Sequence, residues 1–174
     1  MSLDLRQNHF QLFGLPARFG VDVAALDRAY REIQSRVHPD KFVHAGDTER
    51  RLSIEKATQV NEAYRTLKDP LARARYLLAL HGVDVQSETN TAMPAEFLVQ
   101  QLEWREAVEE AAGAADALDS LSERLKQETQ ELYMELEHRL DVTDYLQAAG
   151  PVRKLMFLER LREDIVDALE RLDA

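Results

Sequence analysis

Apolar residues recur at steps of three and four along most of the 174-residue chain, the period of helices that each bury one face. Val23, Leu26, Tyr30, Ile33 and Val37 trace the first stripe, and at about 100° per residue they fall within an arc of roughly 80°. A second stripe runs through Ile54, Ala57, Val60, Tyr64 and Leu67. Between them stands Pro39, which lacks a backbone N–H and pushes the residue before it out of helical geometry, so the first helix must stop near His38. Asp22 and Asp47 are the predicted N-caps of the two helices. A short loop joins them, which makes them an antiparallel pair. Asn8 to Phe13 reads as a short leading helix or turn, closed by Gly14 and Pro16, with Phe10 and Phe13 facing inward. Asp69-Pro70 opens a fourth helix over 70–81, and Gly82 supplies its stop.

After Val83 the pattern lapses. The polar stretch 87–91 has no helical period, and residues 83–94 read as a boundary. Three further helical stretches are predicted at 95–112, 115–140 and 151–172, punctuated by Gly113, by Asp141 to Asp144 and by Gly150-Pro151, with an extra turn near 143–149. The second of these buries Leu118, Leu121, Leu125, Leu132, Leu136 and Leu140, and the third buries Leu158, Leu161, Ile165, Leu169 and Leu172. The fold class is all-α, a helical hairpin followed by a three-helix bundle.

The stretch 95–112 is the least simple. Phe97, Gln101, Trp104, Val108 and Ala111 share one direction and suffice for a core face. Leu98, Val99 and Leu102 point roughly 100–200° away from it, with Glu103, Glu106 and Glu110 beside them. Helical geometry leaves two readings open: a widened buried face, or an apolar recognition patch edged by carboxylates.

Charge divides the chain in the same place. The chain carries a net charge of −10, yet residues 1–80 hold 13 Lys and Arg against 10 Asp and Glu, and residues 81–174 hold 9 against 22. Such asymmetry suggests two parts with different partners, and the overall sign argues against nucleic acid. Cysteine is absent, which excludes disulfides, thiolate zinc sites and thiolate-held iron–sulfur clusters. No apolar signal core, Arg-rich leader or transmembrane-length run is visible, so the expectation is a soluble cytoplasmic protein without a membrane partner.

The chemistry-bearing motif is His38-Pro39-Asp40-Lys41. As an enzymatic acid–base pair His38 and Asp40 would need a pocket, an orienting group and exclusion of water, none of which a short solvated turn offers. His38 and His44 do not make a tetrahedral zinc set. Neither a metal nor any other cofactor is expected. The tripeptide, the preceding Asn8-His9-Phe10-Gln11-Leu12-Phe13-Gly14-Leu15-Pro16 and the following Val60-Asn61-Glu62-Ala63-Tyr64-Arg65-Thr66-Leu67-Lys68-Asp69-Pro70 together resemble the J-domain of DnaJ-type co-chaperones. Tyr76 to Gly82 and Glu96 to Glu103 extend the resemblance to one branch, the HscB-type co-chaperones of iron–sulfur cluster assembly.

The resemblance implies a J-domain over 1–82, a linker over 83–94 and a scaffold-binding bundle over 95–174. It places His38, Pro39, Asp40 and Lys41, with the basic residues Arg28, Arg31 and Arg36, against a DnaK-like chaperone ATPase of the HscA type. It places Leu98, Val99, Leu102, Glu103, Glu106, Glu110 and Phe157 against the IscU-type scaffold protein. ATP hydrolysis would belong to the partner, the chain itself would not be an enzyme, and a monomer is expected. A general J-protein whose bundle takes unfolded clients is the competing class.

Overall fold

The computed structural model describes residues 7–42, 46–85 and 94–172. Among these the regular structure is helical throughout, with seven α-helices and one 3₁₀ turn. Chain contacts divide the molecule into two compact units, Met1–Leu77 and Leu78–Ala174.

In the first unit α1 is His9–Leu12, α2 Val23–Val37, α3 Asp47–Lys68 and α4 begins at Pro70, ending at Leu80. Asn8 and Gln11 cap α1 reciprocally, each side chain accepting from the other's backbone N–H. Gly14 then takes φ +64°, a turn that only a residue without Cβ makes cheaply. Asp22 caps α2 through the N–H of Ala25 at 3.0 Å, and Asp69 caps α4 through that of Ala72 at 2.6 Å. Helices α2 and α3 meet in reverse order, Asp27 at Lys68, Tyr30 at Tyr64 and Val37 at Ser53, so they are antiparallel. Phe10, Leu26, Val60, Ala63 and Leu67 are fully enclosed in their core. Burial of a side chain of Leu or Phe size stabilises by roughly 1.5–3 kcal/mol.

Tyr76 of α4 clamps α1: its ring stacks on His9 at 4.1 Å and its hydroxyl accepts the His9 backbone N–H at 3.0 Å. Burial of the imidazole lowers the His9 pKa, partly opposed by the negative charge of Glu62. The buried Arg73 donates to the Leu67 carbonyl at 2.6 Å and lies over the Phe19 ring.

Several expected positions differ. Val23 is 42% exposed because it is the first residue of α2. Asp47 does not cap α3: it is the first helical residue, Gly46 holds the cap position without a side-chain bond, and the Asp47 charge acts instead within the first turn. Ile54 is 55% exposed and Ser53 is buried in its place, one helical position earlier. Both His44 and the polar stretch 87–91 lie outside the described residues.

In the second unit α5 is Ala95–Ala111, α6 Ala115–Asp141 and α7 Tyr145–Leu172. The long α6–α7 pair packs most extensively, and α5 lies against both. Trp104, Leu118, Leu136, Leu155, Leu158 and Ile165 form the enclosed centre. Gln100 and the Trp104 indole both donate to Glu128, at 2.7 and 3.2 Å, which satisfies the polar edge of the largest buried ring. Gly82 ends α4 at φ +75°, as expected.

Gly150-Pro151 does not begin the last helix. Helix α7 starts at Tyr145 and runs through both residues, so the expected extra turn near 143–149 is its first turn. Asp144 supports that start by accepting from Gln147 and Ala148. A proline there costs about 3 kcal/mol in lost hydrogen bonding and ring contact. Glycine before it removes the Cβ that would meet the proline ring, and Ala148, Ala149, Pro151 and Val152 are all buried, which offsets the remainder. Leu172, expected in the core, is 42% exposed at the end of α7, and Leu121 and Leu169 are half-buried.

Candidate functional site

The His-Pro-Asp stretch closes α2 as a solvated corner. His38 is the C-cap with extended backbone (φ −58°, ψ 129°), and Pro39–Phe42 follow as one 3₁₀ turn. The Lys41 N–H bonds back to the His38 carbonyl at 3.1 Å. The His38 Nδ1 accepts the Asp40 N–H at 3.3 Å and lies 3.4 Å from the Asp40 carboxylate. Side chains of His38 and Asp40 are 49% and 86% exposed. The tripeptide therefore folds on itself and offers its carboxylate outward.

Its stem is built from α2 and α3. The buried Ser53 hydroxyl donates to the Val37 carbonyl at 2.9 Å, satisfying one of the acceptors that a helix end leaves open. Further along, Asn61 Oδ1 accepts from Tyr30 and Gln34 at 3.0 and 2.9 Å. Tyr30 stacks on Tyr64 at 4.0 Å, and the Tyr64 hydroxyl donates to Asp27 at 2.9 Å. Lys68 completes the ladder, 3.1 Å from Asp27 and 2.6 Å from the Tyr64 oxygen. The Tyr64 hydrogen bond, then that of Lys68, lowers the Asp27 pKa, while the Lys68 pKa is raised by Tyr64 first and Asp27 second.

Arg28, Arg31 and Arg36 are all exposed on α2, as is Lys41 after the corner. Arg36 forms an ion pair with Glu32 one turn earlier. No group of acidic, His or Cys side chains able to hold a metal is present among the described residues.

On α5 the open question resolves toward exposure: Leu98, Val99 and Leu102 are 51%, 55% and 58% exposed, while Phe97 and Trp104 are buried. Glu103, Glu106 and Glu110 are exposed beside them. Phe157 of α7 is half-buried and meets Phe97 edge to face at 5.8 Å, so it borders the same helix from the α7 side. Between α5 and α7 a groove of about 440 Å³ is floored by Phe97 and Phe157 and edged by Arg105, Arg153 and Arg160.

Residue patterning pointed to neither Ser53 nor the three arginines. Ser53 was legible as the step of four before Ala57, had a polar residue been admitted to the stripe. The arginines converge from two helices far apart in sequence, and no local spacing reveals that.

Comparison with known proteins agrees with both halves. The DnaJ domain family matches residues 8–76, and the HSCB C-terminal oligomerisation domain family matches residues 93–166. The chain is 53% identical over 175 residues to the co-chaperone protein HscB homolog of Cupriavidus taiwanensis, covering 99% of each. It superposes on chaperone HscB from Vibrio cholerae with a TM-score of 0.83 at 34% identity, covering 95% of this chain and 99% of that one. For the human co-chaperone protein HscB the TM-score is 0.90 at 30% identity, covering 98% and 85% respectively. With a J-type corner in its first unit and a matching helical bundle in its second, the chain belongs to the HscB family of co-chaperones.

Proposed function

We propose that this chain stimulates ATP hydrolysis by a DnaK-like chaperone of the HscA type and delivers an IscU-type iron–sulfur scaffold protein to it, assisting cluster transfer. The observation that carries this is the coexistence, on one chain, of an outward His38-Pro39-Asp40 corner and of an exposed apolar triplet on α5. The Asp40 carboxylate suits a guanidinium partner, since such pairs are directional and bidentate. Arg28, Arg31, Arg36 and Lys41 steer the encounter with an acidic surface, an effect that salt screens. Leu98, Val99, Leu102 and Phe157 supply the apolar centre for the scaffold, and Glu103, Glu106 and Glu110 its charged edge.

Tethering client and trigger on one scaffold makes the second contact nearly intramolecular. The first unit with α4, residues 1–82, serves as the J-domain, residues 83–94 connect, and residues 95–174 carry the client. Chemistry resides in the chaperone ATPase, so the chain acts as a non-enzymatic cytoplasmic monomer without cofactor, nucleic acid or membrane partner. No helix among the described residues is long and apolar enough to cross a membrane.

Single-turnover ATP hydrolysis by the chaperone, with this protein, with the scaffold and with both, tests the proposal. Synergy when both are present supports it. Stimulation that ignores the scaffold and grows with unfolded clients transfers the bundle to general client binding.

A further inference from the structure

Helix α2 twice places an acid four residues before an arginine, Asp27 before Arg31 and Glu32 before Arg36. An acid N-terminal to a base at that spacing is the favoured arrangement for an ion pair along a helix. Only the second pair closes. Glu32 and Arg36 join at the surface, their side chains 65% and 61% exposed, so Arg36 meets an incoming partner already neutralised. Asp27 is diverted: among the described residues it makes no ion pair with Arg31 and bonds instead across the hairpin to α3. Arg28 likewise has no ion pair among the described residues, which leaves Arg28 and Arg31 as the two guanidiniums of α2 open to a partner.

The difference between the two acids is tertiary. The Tyr64 hydroxyl donates to Asp27 Oδ1 at 2.9 Å, and Lys68 Nζ lies 3.1 and 3.4 Å from the two carboxylate oxygens. The Tyr64 ring is fixed by its stack on Tyr30 at 4.0 Å, so its hydroxyl is held at the carboxylate. In this seat the Asp27 side chain is only 33% exposed. Among the causes that lower its pKa the Tyr64 hydrogen bond leads and the charge of Arg31 comes last, the order expected of a carboxylate turned toward α3. These contacts outcompete Arg31 because an exposed pair along a helix is itself weak.

Without that hold the carboxylate is free to turn to Arg31, one turn along its own helix, and to close the pair as Glu32 and Arg36 do. We propose that Tyr64 and Lys68 are positioning residues for chaperone docking, holding Asp27 on α3 so that Arg31 stays unpaired for the acidic surface of the chaperone ATPase. The role rests on the docking function proposed above, and it makes the affinity of α2 depend on two side chains of α3 that need not touch the partner.

The test is a double-mutant cycle on the full-length chain. Its readout is the concentration that half-saturates stimulation of the HscA-type chaperone ATPase, at low and high salt. Lys68→Met should raise that concentration about threefold at low salt, leave maximal stimulation unchanged, and lose its effect at high salt. In an Arg31→Gln background the same change should have no further effect, since no guanidinium remains for Asp27 to capture. Asp27→Asn added to Lys68→Met should restore docking although the ion pair between α2 and α3 stays broken, a rescue that a purely structural role does not allow. Alone, Asp27→Asn should dock at least as tightly as wild type.

An equal effect of Lys68→Met in both backgrounds would mean that Lys68 meets the chaperone directly; the proposal is then overturned and docking stands. Failure of the rescue, or weaker docking by Asp27→Asn alone, makes the network structural and overturns it as well. Should Lys68→Met lose helicity, Asp27→Asn decides by itself: equal or tighter docking supports the role and weaker docking ends it. If wild type does not stimulate the chaperone, the docking function and this role fall together.

Discussion

The Ser53 hydroxyl donates to the Val37 carbonyl at 2.9 Å inside a buried contact, tying the first half of α3 to the residue from which the His-Pro-Asp corner departs. Pro39 has no N–H to offer and Lys41 turns back to His38, so the Val37 acceptor depends on Ser53. Replacing Ser53 by Ala leaves a buried carbonyl without that donor, at a cost of about 1–3 kcal/mol. Urea denaturation should show the midpoint falling with the slope unchanged. An unaltered midpoint would mean that water or a relaxed backbone replaces the bond.

Asp40 illustrates the opposite case, a residue with little structural work. Its side chain is 86% exposed and its close partner is the neighbouring His38. Asp40→Asn should shift stability by no more than about 0.5 kcal/mol, as surface substitutions do, while abolishing stimulation of the chaperone ATPase. Circular dichroism and single-turnover hydrolysis on the same preparation check both halves. Loss of helicity would show that the corner supports the fold.

The α5 triplet separates binding from stability in a similar way. Leu98, Val99 and Leu102 are each more than half exposed, so replacing all three with alanine removes little buried area from the bundle. Alanine also favours helix slightly over valine. Thermal unfolding should therefore move little, whereas scaffold affinity should drop by about 2 kcal/mol or more if the triplet is the centre of the interface. Chaperone stimulation without scaffold should be preserved. Unfolding of the variant would place the triplet in the core.

Helix existence and the division into two parts were legible because period, caps and breakers agree over long stretches, as at Asp22, Asp69 and Gly82. The failures came where local signals conflict. Ile54 outranks Ser53 on hydropathy, but a serine whose hydroxyl finds a carbonyl can be buried, and the facing helix decides between two positions only 100° apart. Gly150-Pro151 is a strong local breaker that burial on α6 and α7 overrides. The exposed triplet was visible as an excess of apolar residues on α5, although its exposure depends on how broad a face the other two helices cover. The arginine groove is tertiary in origin, joining Arg105 of α5 to Arg153 and Arg160 of α7.

His9 makes the first unit sensitive to mild acid. Its ring is stacked on Tyr76 at 4.1 Å, and burial lowers its pKa below the ordinary 6.5, with Glu62 opposing. Below pH 6.5 the unfolded chain binds a proton at His9 that the folded chain resists, so this histidine reduces folding stability as pH falls toward the folded pKa. Beneath that value both states are protonated and its contribution to the slope ends. His9→Phe keeps a ring against Tyr76 and removes the titration, so its urea midpoint should fall less than that of wild type between pH 7.5 and 5.5. Glu62→Gln should steepen the wild-type loss, because the charge that favours the imidazolium is gone. If His9→Phe retains the full pH dependence, the acid sensitivity arises from another group and the burial of His9 is without thermodynamic consequence.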